Sequence, residues 1–387
     1  MKSKTLGTVA KYINGRAFKP AEWETTGKPI IRIQNLTSES SPYNYSTGTF
    51  EDKYIVRSGD LLFAWSASLG AHIWKGDDAW LNQHIFRVVP NDDMSRDYLY
   101  YYLRTVVADL YAKTHGSGMV HITKAPFMNT SIPVPPLVEQ KRIVARIEEL
   151  FSELDSGVET LKKTKQQLAV YRQAVLKAAF AVTDAPFRRL EELCFFITKG
   201  TTPRKASMSS GTGEIPFIKV YNLTSDNSLD FSINPTFVSG ETHKGFLGRS
   251  IVYPGDVLMN IVGPPMGKVS IVPDTYPEWN INQAIARFRC LNGLCNKYLA
   301  YFLGYSDTIR KMTSKAKATA GQFNLTLEIC RDIQIPIPPV EKQKQIVVEI
   351  ESRISVCDSI EKTVDAALQQ AESMRQSILK KAFEGKL

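Results

Sequence analysis

Ile132-Pro-Val-Pro-Pro136 recurs as Ile335-Pro-Ile-Pro-Pro339, and Arg172-Gln-Ala-Val-Leu-Lys-Ala-Ala-Phe180 recurs as Arg375-Gln-Ser-Ile-Leu-Lys-Lys-Ala-Phe383. Both pairs are 203 residues apart, so the segment between them has one length in both copies. A repeat of this size has to be settled before any local reading, because it fixes the architecture. Upstream the same repeat continues with a drifting offset. Pro29-Ile-Ile-Arg-Ile-Gln-Asn-Leu-Thr37 matches Pro216-Phe-Ile-Lys-Val-Tyr-Asn-Leu-Thr224 at 187, and Ser58-Gly-Asp-Leu-Leu62 matches Pro254-Gly-Asp-Val-Leu258 at 196. Leu81-Asn-Gln-His-Ile85 matches Ile281-Asn-Gln-Ala-Ile285, and Tyr98-Leu-Tyr-Tyr-Tyr-Leu103 matches Tyr298-Leu-Ala-Tyr-Phe-Leu303, both at 200. Each repeat is thus a variable module followed by a segment of fixed length. The first tolerates insertions, as a recognition surface does; the second behaves as a spacer.

The fixed segments predict long helices. Leu137–Phe180 has no Pro and a single Gly, Val340–Phe383 has neither, and the Pro-Pro pairs stand where proline suits a helix start. Ile143, Ile147, Leu150, Leu154, Val158, Leu161 and Leu168 form one apolar stripe, with Ile346, Ile350, Ile354, Cys357, Val364, Leu368, Ala371 and Ile378 as its counterpart. Such a helix is ~65 Å long at 1.5 Å per residue and must bury its stripe, for which the other copy is the natural partner. The expectation is an intramolecular two-helix coiled coil rather than two ordinary core helices.

The variable modules, 1–135 and 187–338, read as α+β. Pro29–Ile33, Leu61–Trp65, Ile85–Val89 and Phe217–Val220 predict strands, and Met94–Ala112 and Asn296–Met312 predict helices. The fold class is therefore α+β: two mixed domains separated by two long helices, with an internal repeat. The boundaries follow as 1–135, 136–186, 187–338 and 339–387. Of the net charge of +9, the modules hold +3 and +5 and the helical segments +1 and 0. That distribution suits modules facing phosphates and helices facing protein.

Catalytic constellations are missing from the sequence. Gly263-Pro-Pro-Met-Gly267-Lys268-Val269 is too short for a phosphate loop and lacks its Ser/Thr. No Asn/Asp-Pro-Pro-Tyr/Phe tetrapeptide of adenine methyltransferases occurs. The five histidines lack metal spacing, and Cys290 and Cys295 have no second ligand pair, so no metal and no cofactor is expected. Without a secretion-type start or an apolar run of membrane length, the chain reads as cytoplasmic.

Two modules each closed by Ile-Pro-x-Pro-Pro, a long helix opening on Lys-Gln-Lys-Gln-Ile-Val or its counterpart, and a closing Arg-Gln-x-x-Leu-Lys-x-Ala-Phe resemble the specificity subunit of type I restriction-modification enzymes. Gly116-Ser-Gly-Met119 and Ala320-Gly-Gln-Phe323 are similar to that family's glycine turns, and Ile197-Thr-Lys-Gly-Thr-Thr-Pro203 to its module opening. Tyr12-Ile-Asn-Gly-Arg-Ala-Phe18 departs from that opening by lacking the Thr-Pro. The resemblance implies a non-catalytic subunit whose target-recognition domains each read half of a bipartite sequence in double-stranded DNA. It implies a pseudo-two-fold arrangement of the repeats, helices that pack as an antiparallel coiled coil, set the gap and dock two methyltransferase subunits, which carry the S-adenosylmethionine site, and a motor-nuclease restriction subunit as a further partner. The second reading is a coiled-coil adaptor that assembles other proteins without binding DNA.

Candidate DNA contacts are polar residues near strand ends and glycine turns. In the first module they are Arg16, Lys19, Arg32, Asn35, Ser117 and His121. In the second they are Lys199, Thr201, Arg204, Lys205, Lys219, Asn222, Lys315, Lys317, Gln322 and Asn324. Asn82-Gln83 and Asn282-Gln283 recur, and residues repeated across two different half-site readers are expected to be scaffold more than code.

Overall fold

The computed structural model describes the chain apart from residues 1, 39, 67, 114–123, 182–184, 225, 264 and 320–321; of 108–113, 124, 317–319 and 322–323 only the backbone is described. Two compact units emerge, one made of residues 1–162 and 365–387, the other of residues 163–364. Each long helix therefore contributes to both units.

In the first unit one antiparallel sheet has the strand order Ala10–Asn14, Ile85–Pro90, Leu61–Ala64, Gly70–Ile73. A second sheet runs Asn44–Ser46, Lys28–Ile31, Ala79–Leu81, Ile55–Val56, with its central pair parallel. Leu61, Phe63, Phe86 and Val88 of the first sheet share one core with Tyr98, Leu99 and Leu103 of helix Arg96–Lys113. Ile143, Val144, Ile147 and Phe151 of the first long helix, and Leu379 and Ala382 of the second, complete it. Each such side chain, fully buried, is worth about 1.5–3 kcal/mol.

The second unit repeats this plan. Its sheets run Cys194–Lys199, Ile285–Cys290, Val257–Asn260, Val269–Ile271 and Met208–Ser210, Thr236–Val238, Ile215–Ile218, Trp279–Ile281, Ile251–Val252. Met208–Ser210 is the added strand, and the parallel pair is again central. The core joins Phe288 and Met259 to Tyr298, Leu299 and Leu303, then to Ile346, Val347 and Ile350, and to Val175, Leu176 and Phe180.

The long helices span Leu137–Ala181 and Val340–Phe383, as the unbroken segments predict. Within the second unit Arg172 pairs with Asp358 and with Glu361 at 2.7 Å, and Lys165 reaches Glu361 at 3.4 Å. Val175 and Ala178 then lie opposite Ile346 and Arg353, an antiparallel progression. In the first unit Arg375 pairs with Asp155.

Three local expectations are corrected, one of them Phe217–Val220, where the strand ends at Ile218 and Val220–Asn222 forms a short 3-10 turn. Asn296–Met312 is not one helix: Asn296–Gly304 and Ser306–Lys315 are separated by an extended Tyr305 (φ −72°, ψ 129°). Gly304 weakens the helix there, and Gln173 Oε1 accepts the Ser306 N–H at 2.9 Å, giving the new helix its own start. Pro29–Ile33 is a strand only to Ile31; the chain then turns into the short helix Ile33–Thr37.

Candidate nucleic-acid interface

In both units the strand that opens the first sheet runs into a glycine, Gly15 or Gly200, and crosses the Asn-Gln turn. A Cβ at Gly15 would stand 2.1 Å from the Asn82 carbonyl oxygen, and one at Gly200 would stand 2.1 Å from that of Ile281. Only glycine lets these backbones meet. The contact is sealed by Gly15 N–Ile85 O (3.1 Å), Arg16 N–Leu81 O (2.9 Å) and Gln83 N–Arg16 O (2.9 Å). Its counterparts are Gly200 N–Ile285 O (3.0 Å) and Thr201 N–Ile281 O (3.2 Å). A third segment joins from the second sheet, since Asn82 N donates to Ile31 O and Asn282 N to Ile218 O. Opening loop, Asn-Gln turn and the turn after the central strand thus form one edge in each unit.

The asparagines of this edge hold backbone. Asn35 and Asn222 are buried; their Oδ1 atoms accept the N–H of Arg32 (3.0 Å) and Lys219 (2.9 Å). Their Nδ2 atoms donate to Ser41 and Pro42 carbonyls, and to those of Asp230 and Ile233. Asn35 and Asn222 therefore shape the turn, with their amides engaged internally rather than turned outward. Asn282 Oδ1 accepts the Ala284 N–H at 3.2 Å, the Asx turn expected of scaffold.

The charged candidates divide. Arg16 is tied down: its guanidinium pairs with Glu22 and lies 4.1 Å over the Phe50 ring. That hydrogen bond, with a second from the Lys19 backbone N–H, holds the Glu22 carboxyl down at about 2. Lys19, Lys199, Arg204, Lys205 and Lys315 are exposed, and Thr201 is half-buried. Arg32 and Lys219, equivalent in the repeat, are half-buried and lie 5.2 Å over Trp23 and 5.9 Å over Tyr221, a placement that fixes a cation without neutralising it.

In the second unit Lys317–Thr319 and Gln322–Asn324 pair as a hairpin, which the structure describes for Lys317 and Gln322 at the backbone alone. Asn324 bridges to Val262, beside the loop Val262–Lys268. Buried Asn260 holds that loop through Lys268 N (2.7 Å) and Pro265 O (2.8 Å). Ser117 and His121 lie outside the described residues.

Residues that fix the Pro-Pro junction between each module and its long helix escaped the sequence reading. Gln140, fully buried, accepts from Ser95 N (2.8 Å) and donates to Asp93 O (2.9 Å) and Pro135 O (2.8 Å). Gln343 does the same with Cys295 N (2.8 Å), Gly293 O (2.8 Å) and Pro338 O (2.9 Å). Tyr98 and Tyr298 donate their hydroxyls to Pro133 O (3.0 Å) and Pro336 O (2.9 Å). The signal was present, since both pairs recur at the offsets of the repeat.

Comparison with known proteins bears on what this twice-built edge does. The sequence model of the family described as "Type I restriction modification DNA specificity domain" matches residues 1–168 and again 184–370. The specificity subunit of the type I restriction enzyme EcoBI from Escherichia coli is 28% identical over 418 residues, covering 99% of this chain and 85% of that protein. The MjaVIII specificity subunit from Methanocaldococcus jannaschii is 22% identical, covering 99% and 92%. Among solved structures, a chain from a study of type I restriction-modification assembly and conformational transition superposes with a TM-score of 0.75 at 22% identity, covering 100% of this chain and 98% of that one. The HsdS subunit from Thermoanaerobacter tengcongensis gives 0.52 at 21%, covering 100% and 97%.

Proposed function

Because this chain belongs to the type I restriction modification DNA specificity family, we propose that each of its two units reads one half of a bipartite DNA target. Recognition of a DNA sequence is the family's function, and the adaptor reading is not favoured. The observation that carries the finer proposal is that one edge is built twice on the same backbone frame with different side chains. Asn14, Trp65 and His84 flank it in the first unit; Lys199, Ile261 and Ala284 take their places in the second. A shared frame with exchanged side chains is what two different half-sites require.

The exposed cations Lys19, Lys199, Arg204 and Lys205 neutralise phosphates and give salt-dependent affinity without sequence preference. Base edges are read by polar side chains of the opening loop and the hairpin. Residues 1–135 and 187–338 are the two target-recognition domains. Residues 136–186 and 339–387 are the spacer helices, which set the gap and dock two methyltransferase subunits, with a motor-nuclease subunit joining for cleavage. Exposed Val138, Val170, Val348 and Val356 give those helices apolar surface for a protein partner. The chain itself is non-catalytic and takes its chemistry from these partners; it works in the cytoplasm, where the DNA is. Linking two readers makes the second contact intramolecular, which raises affinity when the gap fits.

The test is a methylation map of a naive host expressing this chain with its cognate methyltransferase subunit. Two short half-sites around a fixed unspecified gap are expected, and matched insertions in both long helices should change the gap alone. A contiguous motif, or half-sites that change while the gap does not, would refute the proposal.

A further inference from the structure

Cys194 and Cys290 stand directly opposite each other on neighbouring antiparallel strands of the second unit, Cys194–Lys199 and Ile285–Cys290. Beside the pair, the Leu291 N–H donates to Leu193 O at 2.9 Å. A ladder bond between those flanking residues makes Cys194 and Cys290 a non-hydrogen-bonded pair, whose Cα atoms lie about 4.5 Å apart and whose side chains leave the sheet on one face. That separation is inside the window of about 4.4–6.8 Å that a disulfide bridges. Cys194 is buried and Cys290 half-buried, which makes Cys290 the more accessible of the two. The hydrogen bond with the Cys194 thiol, and then burial, push the Cys290 thiol up, so it stays protonated at neutral pH. The first unit has the same ladder bond, Asn91 N to Val9 O at 3.0 Å, but Ala10 and Pro90 occupy the paired positions. The frame therefore does not need sulfur there, and the facing thiols are particular to the second unit.

We propose that Cys194 and Cys290 are a redox-sensitive pair that a low-molecular-weight disulfide converts into a cross-strand disulfide, clamping the root of the second unit's opening strand. The Cys290 thiolate attacks one sulfur of the oxidant, whose S–S bond breaks and releases one thiol. The Cys194 thiolate then attacks the Cys290 sulfur of that mixed disulfide and expels the second thiol. Two protein thiols and one small disulfide thus give one protein disulfide and two small thiols; two electrons pass to the oxidant and both protons end on the released thiols. Because the thiolate attacks, exchange is slow near neutral pH and quickens about tenfold per pH unit. In reducing surroundings the pair stays open. The clamp acts on an edge strand, beside the bulge between Cys194 and Phe196 where the ladder is disrupted. It lies at the other end of that strand from Gly200, apart from the recognition edge. The bridge closes the long loop from Cys194 to Cys290 and so constrains the unfolded chain, which stabilises the second unit.

In the experiment the folded full chain is incubated with oxidised glutathione over a range of pH, its remaining thiols are alkylated, and unreduced digests are mapped by mass spectrometry. The expected result is loss of two of the five thiols, a Cys194–Cys290 cross-link, and faster closure at higher pH. The melting temperature of the oxidised chain should rise by about 5 °C or more and return on addition of dithiothreitol. Cys194→Ala, which places there the residue type of Ala10, should keep the fold and show neither the cross-link nor the rise, whereas Cys295→Ser should show both. A folded chain that keeps all five thiols, a Cys290–Cys295 bridge, or glutathione retained on Cys290 would overturn the proposal.

Discussion

Replacing Gln343 by methionine tests how the second unit is fastened to its long helix. The two side chains are similar in length and volume, so the cavity term is small. What is lost is three hydrogen bonds of 2.8–2.9 Å, to Cys295 N, Gly293 O and Pro338 O, at a fully buried site. A net contribution of about 1 kcal/mol per bond gives about 3 kcal/mol, and each buried partner left unsatisfied raises the figure, since such a group costs about 1–3 kcal/mol. For a cooperative unit of roughly 200 residues a loss of 3 kcal/mol lowers the melting temperature by about 6–12 °C. Gln343→Glu should be worse at neutral pH, because a carboxylate would face the Gly293 and Pro338 carbonyls with no proton to donate. Gln140→Met should act alike in the first unit, and the double variant should be additive, since the two clusters share no partner. Denaturant unfolding, with hydrogen exchange resolving the two units, is the assay. A Gln343→Met protein within about 0.5 kcal/mol of the unmodified chain would refute the reasoning.

Gly200→Ala, and separately Gly15→Ala, should push the opening loop off the Asn-Gln turn, because the new Cβ meets backbone carbonyls at 2.1 Å; methylation should fall about tenfold or more, as bond-reading geometry is lost, with helical circular dichroism unchanged. Phe180→Ala should cost the second unit about 3–5 kcal/mol and Phe180→Leu less, since the ring is buried against Tyr298 and Phe302 at 5.3 and 5.2 Å; chemical denaturation measures both. The Glu22 carboxyl is lowered from 4.5 to about 2 by Arg16 and the Lys19 N–H, so its contribution is complete above about pH 4.5 and is lost as the pH falls through about 2. The protection of the first opening loop against hydrogen exchange, relative to the intrinsic rate, should therefore fall as the pH drops through that window, and Glu22→Gln should remove the fall.

How much of this was legible in the sequence depended on whether a residue's role was local. The long helices were read to within one residue, because absence of Pro and a repeating apolar step are properties of the segment itself. The break at Tyr305 was not, since Gln173, which caps the following helix, lies 133 residues away. The candidate contacts behaved similarly. Asn35 and Asn222 looked like outward polar residues in a loop, but backbone carbonyls six to eleven residues on occupy their amides. Arg16 looked like a free cation, but Glu22 and Phe50 claim it.

The repeat in the sequence is not the unit of structure, and this has a testable consequence. Tyr98 of the first unit meets the ring of Phe383 at 5.1 Å, whereas Tyr298 of the second meets Phe180 at 5.3 Å. Each repeat therefore surrenders the end of its own helix to the other unit's core. A chain cut after residue 186 lacks residues 365–387, yet still carries Arg172–Phe180, identical to Arg375–Phe383 at six of nine positions. It cannot use that end on itself, because an unbroken helix of this length places its last turn ~65 Å from its first. A second copy can supply it, and reciprocally receive the first copy's end, so closure comes in pairs. The truncated chain should sediment as a dimer, and Phe180→Ala should drive it to an unfolded or aggregated state rather than to a stable monomer. A folded monomer with the first unit's full stability would show that the core around Tyr98 closes without a helix end, and the reasoning would fail.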